Sequence, residues 1–256
     1  MNEKPKVQDL IEKIREFNND YIFHATSVFN EKECNSIIDQ FEKLHKQNKT
    51  KEGKSRAGVD KIVKNSYDIY EYPDFKGLDR SFHEKIYWNL SYYLHYVGYL
   101  GAQFIGISTK DFLNCDKEGI LETSKERIAS YIRWENICFR KYLANKGGYH
   151  FPHHDRGIGS NRMLSSIIYL NSCENGGDTE FPIIGRRYKP VQGNMLIFPS
   201  YFTHNHFSHK SKEDRYVAVI HIRETVELKD AIIYNNKGVF TNDKKKANDE
   251  GSKNSN

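Results

Sequence analysis

His153 and Asp155 are separated by a single residue, and about fifty residues further on the run Thr203-His204-Asn205-His206 supplies a second pair of histidines. In an extended strand successive side chains alternate between faces, so His153 and Asp155 would share a face and His154 would point away. A histidine beside a carboxylate, joined by one distant histidine, can cap one face of an octahedral ion. That 2-His-1-carboxylate arrangement leaves positions open for O2 and a co-substrate on non-haem Fe(II). His204 and His206 would lie on the same face of a strand, so alternation alone leaves both open as the third ligand. A lone histidine is more often simply packed or at the surface, and six of the eleven (150, 153, 154, 204, 206 and 209) crowd this region.

Three blocks around these residues narrow the reading. They are Arg162-Met163-Leu164-Ser165-Ser166-Ile167-Ile168-Tyr169-Leu170-Asn171, then Gly176-Gly177-Asp178-Thr179-Glu180-Phe181-Pro182, then Lys189-Pro190-Val191-Gln192-Gly193-Asn194-Met195-Leu196-Ile197-Phe198-Pro199. In that order, over roughly residues 130 to 223, they resemble the prolyl 4-hydroxylase branch of the 2-oxoglutarate/Fe(II) oxygenases.

The resemblance implies iron ligands at His153, Asp155 and His206, with His204 the alternative third ligand. It places Arg215 on the distal carboxylate of 2-oxoglutarate. Arg215 lies nine residues after His206 and eleven after His204, so the spacing does not choose between them, and the branch often has Lys here. Tyr142 resembles the family tyrosine that hydrogen-bonds the same carboxylate, although its loop to His153 is about two residues longer than usual. Arg162 either contacts substrate or braces its strand. An intact Asp155 points to hydroxylation, since related halogenating enzymes carry a small residue there.

The implied activity is a dioxygenase that hydroxylates a peptidyl residue, foremost proline to 4-hydroxyproline, with succinate and CO2 as co-products. It would need Fe(II), 2-oxoglutarate and O2, with ascorbate as reductant. The alternatives are the same chemistry on another side chain, a small molecule or a nucleobase, or a non-catalytic metal-binding jelly-roll module. The complete triad with Arg215 argues against the last.

Such a site needs strands to hold it. From Ala129 onward, short runs separated by Gly, Asn and Pro predict strands at 129–143, 149–155, 162–171, 178–182, 193–198, 203–209 and 214–223, the pattern of a sandwich or jelly roll. The family form is a mainly β, double-stranded β-helix with supporting N-terminal α-helices packed on one sheet. Upstream, Leu10, Ile11, Ile14 and Phe17 give 8–17 an apolar helical face, and 21–29 reads as a strand. Asn30 with Glu33 forms a capping-box start for a helix whose stripe is Cys34, Ile37, Ile38, Phe41 and Leu44. Residues 45–56 are polar and basic, a surface loop or a lid. Residues 58–70 read as strand and turn, and Phe82, Ile86, Leu90, Tyr93, Leu94 and Val97 predict a helix over 79–98. Residues 101–126 have no clear period. The expected organisation is a support region at 1–128 within the same domain, a catalytic core at 129–234 and a disordered tail at 242–256.

At 256 residues the chain is long enough to bury a real core. A net charge of +5 lacks the stripe of cations expected of a dedicated nucleic-acid binder, which argues against nucleic acid. The partner that the family resemblance implies is a protein or peptide containing proline. Cys34, Cys115, Cys138 and Cys173 form no Cys-x-x-Cys pair, which fits a reducing compartment. No apolar leader or membrane span is evident, so a cytoplasmic protein with no membrane partner is expected, and collagen of the secretory pathway is a poor fit as substrate.

Overall fold

The computed structural model describes residues 20–55, 57–75, 78, 80–96, 132–157, 160–224, 233–235 and 238–240. In chain order these form β1 (Phe23–Ala25), α1 (Glu31–Lys46), β2 (Lys51–Glu52), β3 (Lys64–Asn65), β4 (Tyr67–Tyr70) and α2 (Arg80–Tyr96). There follow β5 (Ile132–Trp134), β6 (Cys138–Tyr142), β7 (Gly148–Tyr149), β8 (Arg162–Tyr169), β9 (Thr179–Phe181) and β10 (Arg186–Tyr188). The last are β11 (Met195–Pro199), β12 (Phe207–Ser208), β13 (Arg215–Glu224), β14 (Ile233–Asn235) and β15 (Gly238–Phe240). The helix expected at 8–17, the stretch 101–126, Cys115 and the tail from 242 lie outside the described residues.

Strand alternation builds two cores from one sheet. The main sheet runs β1-β11-β8-β13-β6-β4-β2, with β5 also paired to β13. On β13, Tyr216, Ala218, Ile220 and Ile222 join a cluster with α1 and α2, while Val217 and Val219 join a second cluster with Phe181 of β9. Met195 and Ile197 of β11 face the helices, and Leu196 and Phe198 face the other way. The helices therefore cover one face, and the smaller sheet β10-β9-β12 packs against the other. This is a jelly roll with its helices on the outside of one sheet, as expected.

The helices form where capping and period require. Asn30 Oδ1 accepts from the Glu33 amide at 2.9 Å and Glu33 Oε2 accepts from the Asn30 amide at 2.8 Å, a complete capping box. The buried stripe of α1 is Cys34, Ile37, Phe41 and Leu44. Gly193, at φ +80°, packs so closely that a Cβ would lie 2.0 Å from the Phe29 carbonyl oxygen, which explains glycine in the turn ahead of β11.

Several strand boundaries differ from the sequence expectation. The run 129–143 is interrupted after Trp134, where Asn136 leaves the ladder to exchange two hydrogen bonds with the backbone of Tyr72. The run 149–155 is a strand only at its start, because Pro152 has no amide to donate. His153 then meets His206 through an isolated pair of backbone hydrogen bonds. Within 203–209, Phe202–His204 is a 3-10 turn ahead of β12. The 45–56 loop includes β2, paired to β4 at the sheet edge, and β10 was not anticipated. The chain divides into two units, residues 1–224 and 225–256, and in the second the described residues form the β14–β15 hairpin.

Candidate metal centre and co-substrate cavity

His153 and His206 approach from two separate segments, and Asp155 completes the group. One donor atom from each lies within 4.8 Å of the other two. His153 Nε2 is 3.8 Å from Asp155 Oδ1, and His206 Nε2 is 3.7 Å from Asp155 Oδ2. Both distances exceed a hydrogen bond, so the three donors face a common point without satisfying one another.

The tautomers follow from the backbone. His153 Nδ1 lies 2.9 Å from the Phe151 carbonyl and His206 Nδ1 lies 3.1 Å from the His204 carbonyl. A carbonyl oxygen can only accept, so each Nδ1 carries a hydrogen and each Nε2 is left turned toward Asp155, where a ligand lone pair is wanted. Burial, and then the neighbouring His206, push His153 down to about 3, so its ring is neutral. Burial alone would raise the Asp155 carboxyl, but His221, His206 and His153 outweigh it and hold the group ionised well below the usual range. Two imidazoles and one carboxylate fit a divalent ion such as Fe(II).

His204 is different. Its Nε2 donates to the Asp20 carbonyl at 2.7 Å and its Nδ1 is 2.9 Å from Thr203 Oγ1. Both nitrogens are used within the protein, and the 3-10 turn directs the ring away from the other donors. His154 is exposed, and His209 pairs with Glu180 at 2.6 Å.

The donors open into a cavity of about 820 Å³ that Arg215 and Tyr142 also line. Arg215 sits directly opposite Tyr142 in the β13–β6 register. Its guanidinium lies 4.4 Å from the centre of the Tyr142 ring and donates to the Gly177 carbonyl. Gly177, at φ +79°, passes against the Arg215 side chain, and a Cβ there would come within 3.2 Å of it. Thr179 lines the same cavity and its hydroxyl accepts from Tyr169 at 2.8 Å.

With this geometry established, the comparison with known proteins is direct. The profile of the 2OG-Fe(II) oxygenase superfamily matches residues 137–223, from just ahead of β6 to near the end of β13. A curated relative named "Putative prolyl 4-hydroxylase", from Acanthamoeba polyphaga mimivirus, is 32% identical over 76 residues, which cover 25% of this chain and 31% of that protein. Among solved structures, a Pseudomonas putida prolyl-4-hydroxylase has a TM-score of 0.55 at 13% identity, covering 84% of this chain and 99% of its own. A Trichoplax adhaerens prolyl hydroxylase, in complex with a hypoxia inducible factor peptide fragment, has a TM-score of 0.55 at 14% identity, covering 86% and 94%. At these identities the structural likeness concerns the fold.

The matched region surrounds the three donors with groups the motifs did not single out. Ser165 donates to Asp155 Oδ2 at 2.6 Å. Its one hydrogen is thereby used, so Ser200, 2.8 Å away, donates to Ser165. His221, opposite Ser165 in the β13–β8 register, lies 3.9 Å from Asp155. Alternation could have found it: from Arg215, every second residue of β13 (Val217, Val219, His221, Arg223) lines the cavity. Ser165 had a signal too, as one of two adjacent hydroxyls, with Ser166, in the middle of a mostly apolar strand.

Arg162 lines the cavity with its guanidinium engaged. It holds Glu135 through two bonds of 2.6 Å and reaches the Asp155 carbonyl at 3.2 Å. Arg140 grips Asp68 at 2.8 and 3.0 Å, and Lys64 reaches the same carboxylate at 2.8 Å. The side of Arg140 facing the cavity donates to Tyr142 Oη at 3.3 Å.

Proposed function

We propose that this chain is a 2-oxoglutarate- and Fe(II)-dependent dioxygenase that hydroxylates a peptidyl residue, foremost proline to 4-hydroxyproline. The observation that carries the reading is one cavity shared by three converging donors and a buried Arg215–Tyr142 pair. The names of the mimivirus relative and of the Trichoplax enzyme, with its bound peptide, support proline in a peptide as the substrate class.

In this reading His153, Asp155 and His206 hold the iron, which when bound activates O2 at the expense of 2-oxoglutarate. The balance is one 2-oxoglutarate, one O2 and one C–H bond consumed for one succinate, one CO2 and one C–OH. Arg215 pairs with the distal carboxylate of the co-substrate. Because Arg140 donates to the Tyr142 oxygen, the phenol's own hydrogen remains to be donated to that carboxylate. Ile167, Val217 and Val219 form the apolar wall that excludes water from the co-substrate. Arg162, tied to Glu135, braces the Asp155 segment. Ascorbate is the expected reductant for iron oxidised in unproductive cycles. Cys34, Cys138 and Cys173 are buried and free, which supports a reducing, cytoplasmic setting, and no helix among the described residues is long and apolar enough to cross a membrane.

The test is succinate formation from 2-oxoglutarate by purified protein with Fe(II), ascorbate and O2. Turnover should appear and should vanish in His153→Ala, and mass spectrometry of proline-containing peptides should find a single added oxygen on proline. Absence of turnover, together with failure of 2-oxoglutarate to bind the metal-loaded protein, would overturn the reading. Oxidation of free amino acids or nucleobases alone would overturn the prolyl assignment.

A further inference from the structure

Among the described residues lining the cavity, the sole carboxylate is Asp155, whereas six cations besides Arg215 face it: Lys54, Lys64, Arg140, Arg156, Arg162 and Arg223. Two carboxylates behind the lining serve four of these. Asp68 pairs with Lys64 and Arg140, and Glu135 pairs with Arg162 and Arg223. Each of those groups keeps one positive charge in excess. Neither Lys54 nor Arg156 has a carboxylate partner, and the Arg156 guanidinium lies 4.5 Å from the centre of the Tyr201 ring. The walls thus hold four uncompensated positive charges, nearly the whole formal excess of +5 carried by the chain.

The metal and co-substrate do not cancel this field. A divalent ion, the two carboxylates of 2-oxoglutarate, Asp155 and Arg215 sum to zero, so the four charges remain for whatever enters next. A concave, low-dielectric wall of one sign concentrates ligands of the opposite sign and rejects those of its own.

We infer that the substrate is an acidic segment, a peptide whose target residue is flanked by Asp or Glu. Arg156 and Lys54 at the mouth would take carboxylates directly, and the two doubly paired clusters would supply the field behind them. The inference rests on the peptidyl reading above. Nucleic acid would also answer to the charge, but the tyrosine rings beside the reacting groups are occupied. Tyr149 stacks on His153 at 3.5 Å between ring centres and Tyr142 lies against Arg215, which removes faces on which a base would stack.

The test measures binding without turnover, by fluorescence anisotropy of labelled peptides on the full chain loaded with Mn(II) and 2-oxoglutarate. Three proline-containing peptides of equal length would be compared, with acidic, neutral and basic flanks, beside a single-stranded oligonucleotide matched in charge to the acidic one. The acidic peptide should bind about tenfold or more tighter than the neutral one at low salt, with the advantage shrinking as salt screens the field. Lys54→Gln and Arg156→Gln should each weaken acidic-peptide binding about threefold or more. Lys43→Gln, an equal loss of charge on exposed α1 across the main sheet, should not.

Equal binding of the three peptides, or an equal effect of Lys43→Gln, overturns the inference. Tighter binding of the oligonucleotide overturns it in favour of a nucleic acid. Acidic-peptide binding here, with no hydroxylated product from the same peptide in the assay with Fe(II), ascorbate and O2, leaves it standing and removes the prolyl reading instead.

Discussion

The two candidate third ligands differ in what their ring nitrogens face. His206 gives its Nδ1 hydrogen to a carbonyl and turns Nε2 toward Asp155, whereas His204 spends both nitrogens on Asp20 and Thr203. His206→Ala should therefore abolish stoichiometric metal binding, read by Co(II) absorbance or metal analysis, and lower turnover by at least about a thousandfold. His204→Ala should keep its metal and lose about 1–3 kcal/mol of stability, because the Asp20 carbonyl loses its donor. If His204→Ala loses the metal and His206→Ala keeps it, the assignment is reversed. Ser165 acts through Asp155 and not on substrate, so Ser165→Ala should weaken metal affinity about 10–100-fold in direct titration. Threonine, which keeps the hydroxyl, should restore most of it.

Between elements, the join of β4 to β6 depends on a charge cluster. Asp68 lies opposite Arg140 in the register and is buried with Arg140 and Lys64 bound to it. Burial by itself would raise the Asp68 carboxyl, but Arg140 and Lys64 outweigh it and hold it well below its ordinary value of 3.8. A carboxyl depressed in the folded state contributes stability that is complete above its unfolded value and is lost as pH falls through its folded one. Asp68→Asn leaves two buried cations unpaired and should cost about 3–5 kcal/mol near neutral pH, read from urea midpoints. The gap between variant and parent should narrow as pH drops below 3.8, since acid protonates the parent's carboxyl as well. A gap that widens on acidification would contradict the assigned cause.

For the whole molecule, the proposed metal and co-substrate sites share one cavity, so occupancy should stabilise the fold as a unit. With Mn(II) present as a redox-silent ion, 2-oxoglutarate at a hundred times its Kd should add about 2.7 kcal/mol. That corresponds to roughly 5–11 °C in Tm for a domain of this size. Without metal the rise should be much smaller, and in Arg215→Ala it should largely disappear. A full shift in metal-free protein would separate the two sites.

Much of this was legible in local sequence because it rests on local physics. The Asn30–Glu33 capping box, the stripe of α1 and the two-residue alternation of β13 follow from backbone geometry, and alternation from Arg215 reaches His221 without any tertiary information. His153 and Asp155 were marked by their neighbours, although not for the reason alternation suggests: beyond Pro152 the segment is irregular, and a single backbone bridge to His206 brings the group together. The choice between His204 and His206 was not legible, because a 3-10 turn replaces the strand that made them equivalent and the deciding acceptor, the Asp20 carbonyl, is 184 residues away. The cationic wall was hidden for the same reason. Its six side chains come from separate segments between Lys54 and Arg223, and their carboxylates, Asp68 and Glu135, stand among them. The composition shows mild, scattered basicity, and sheet closure alone turns it into one field, since charge sums by distance in space and not along the chain.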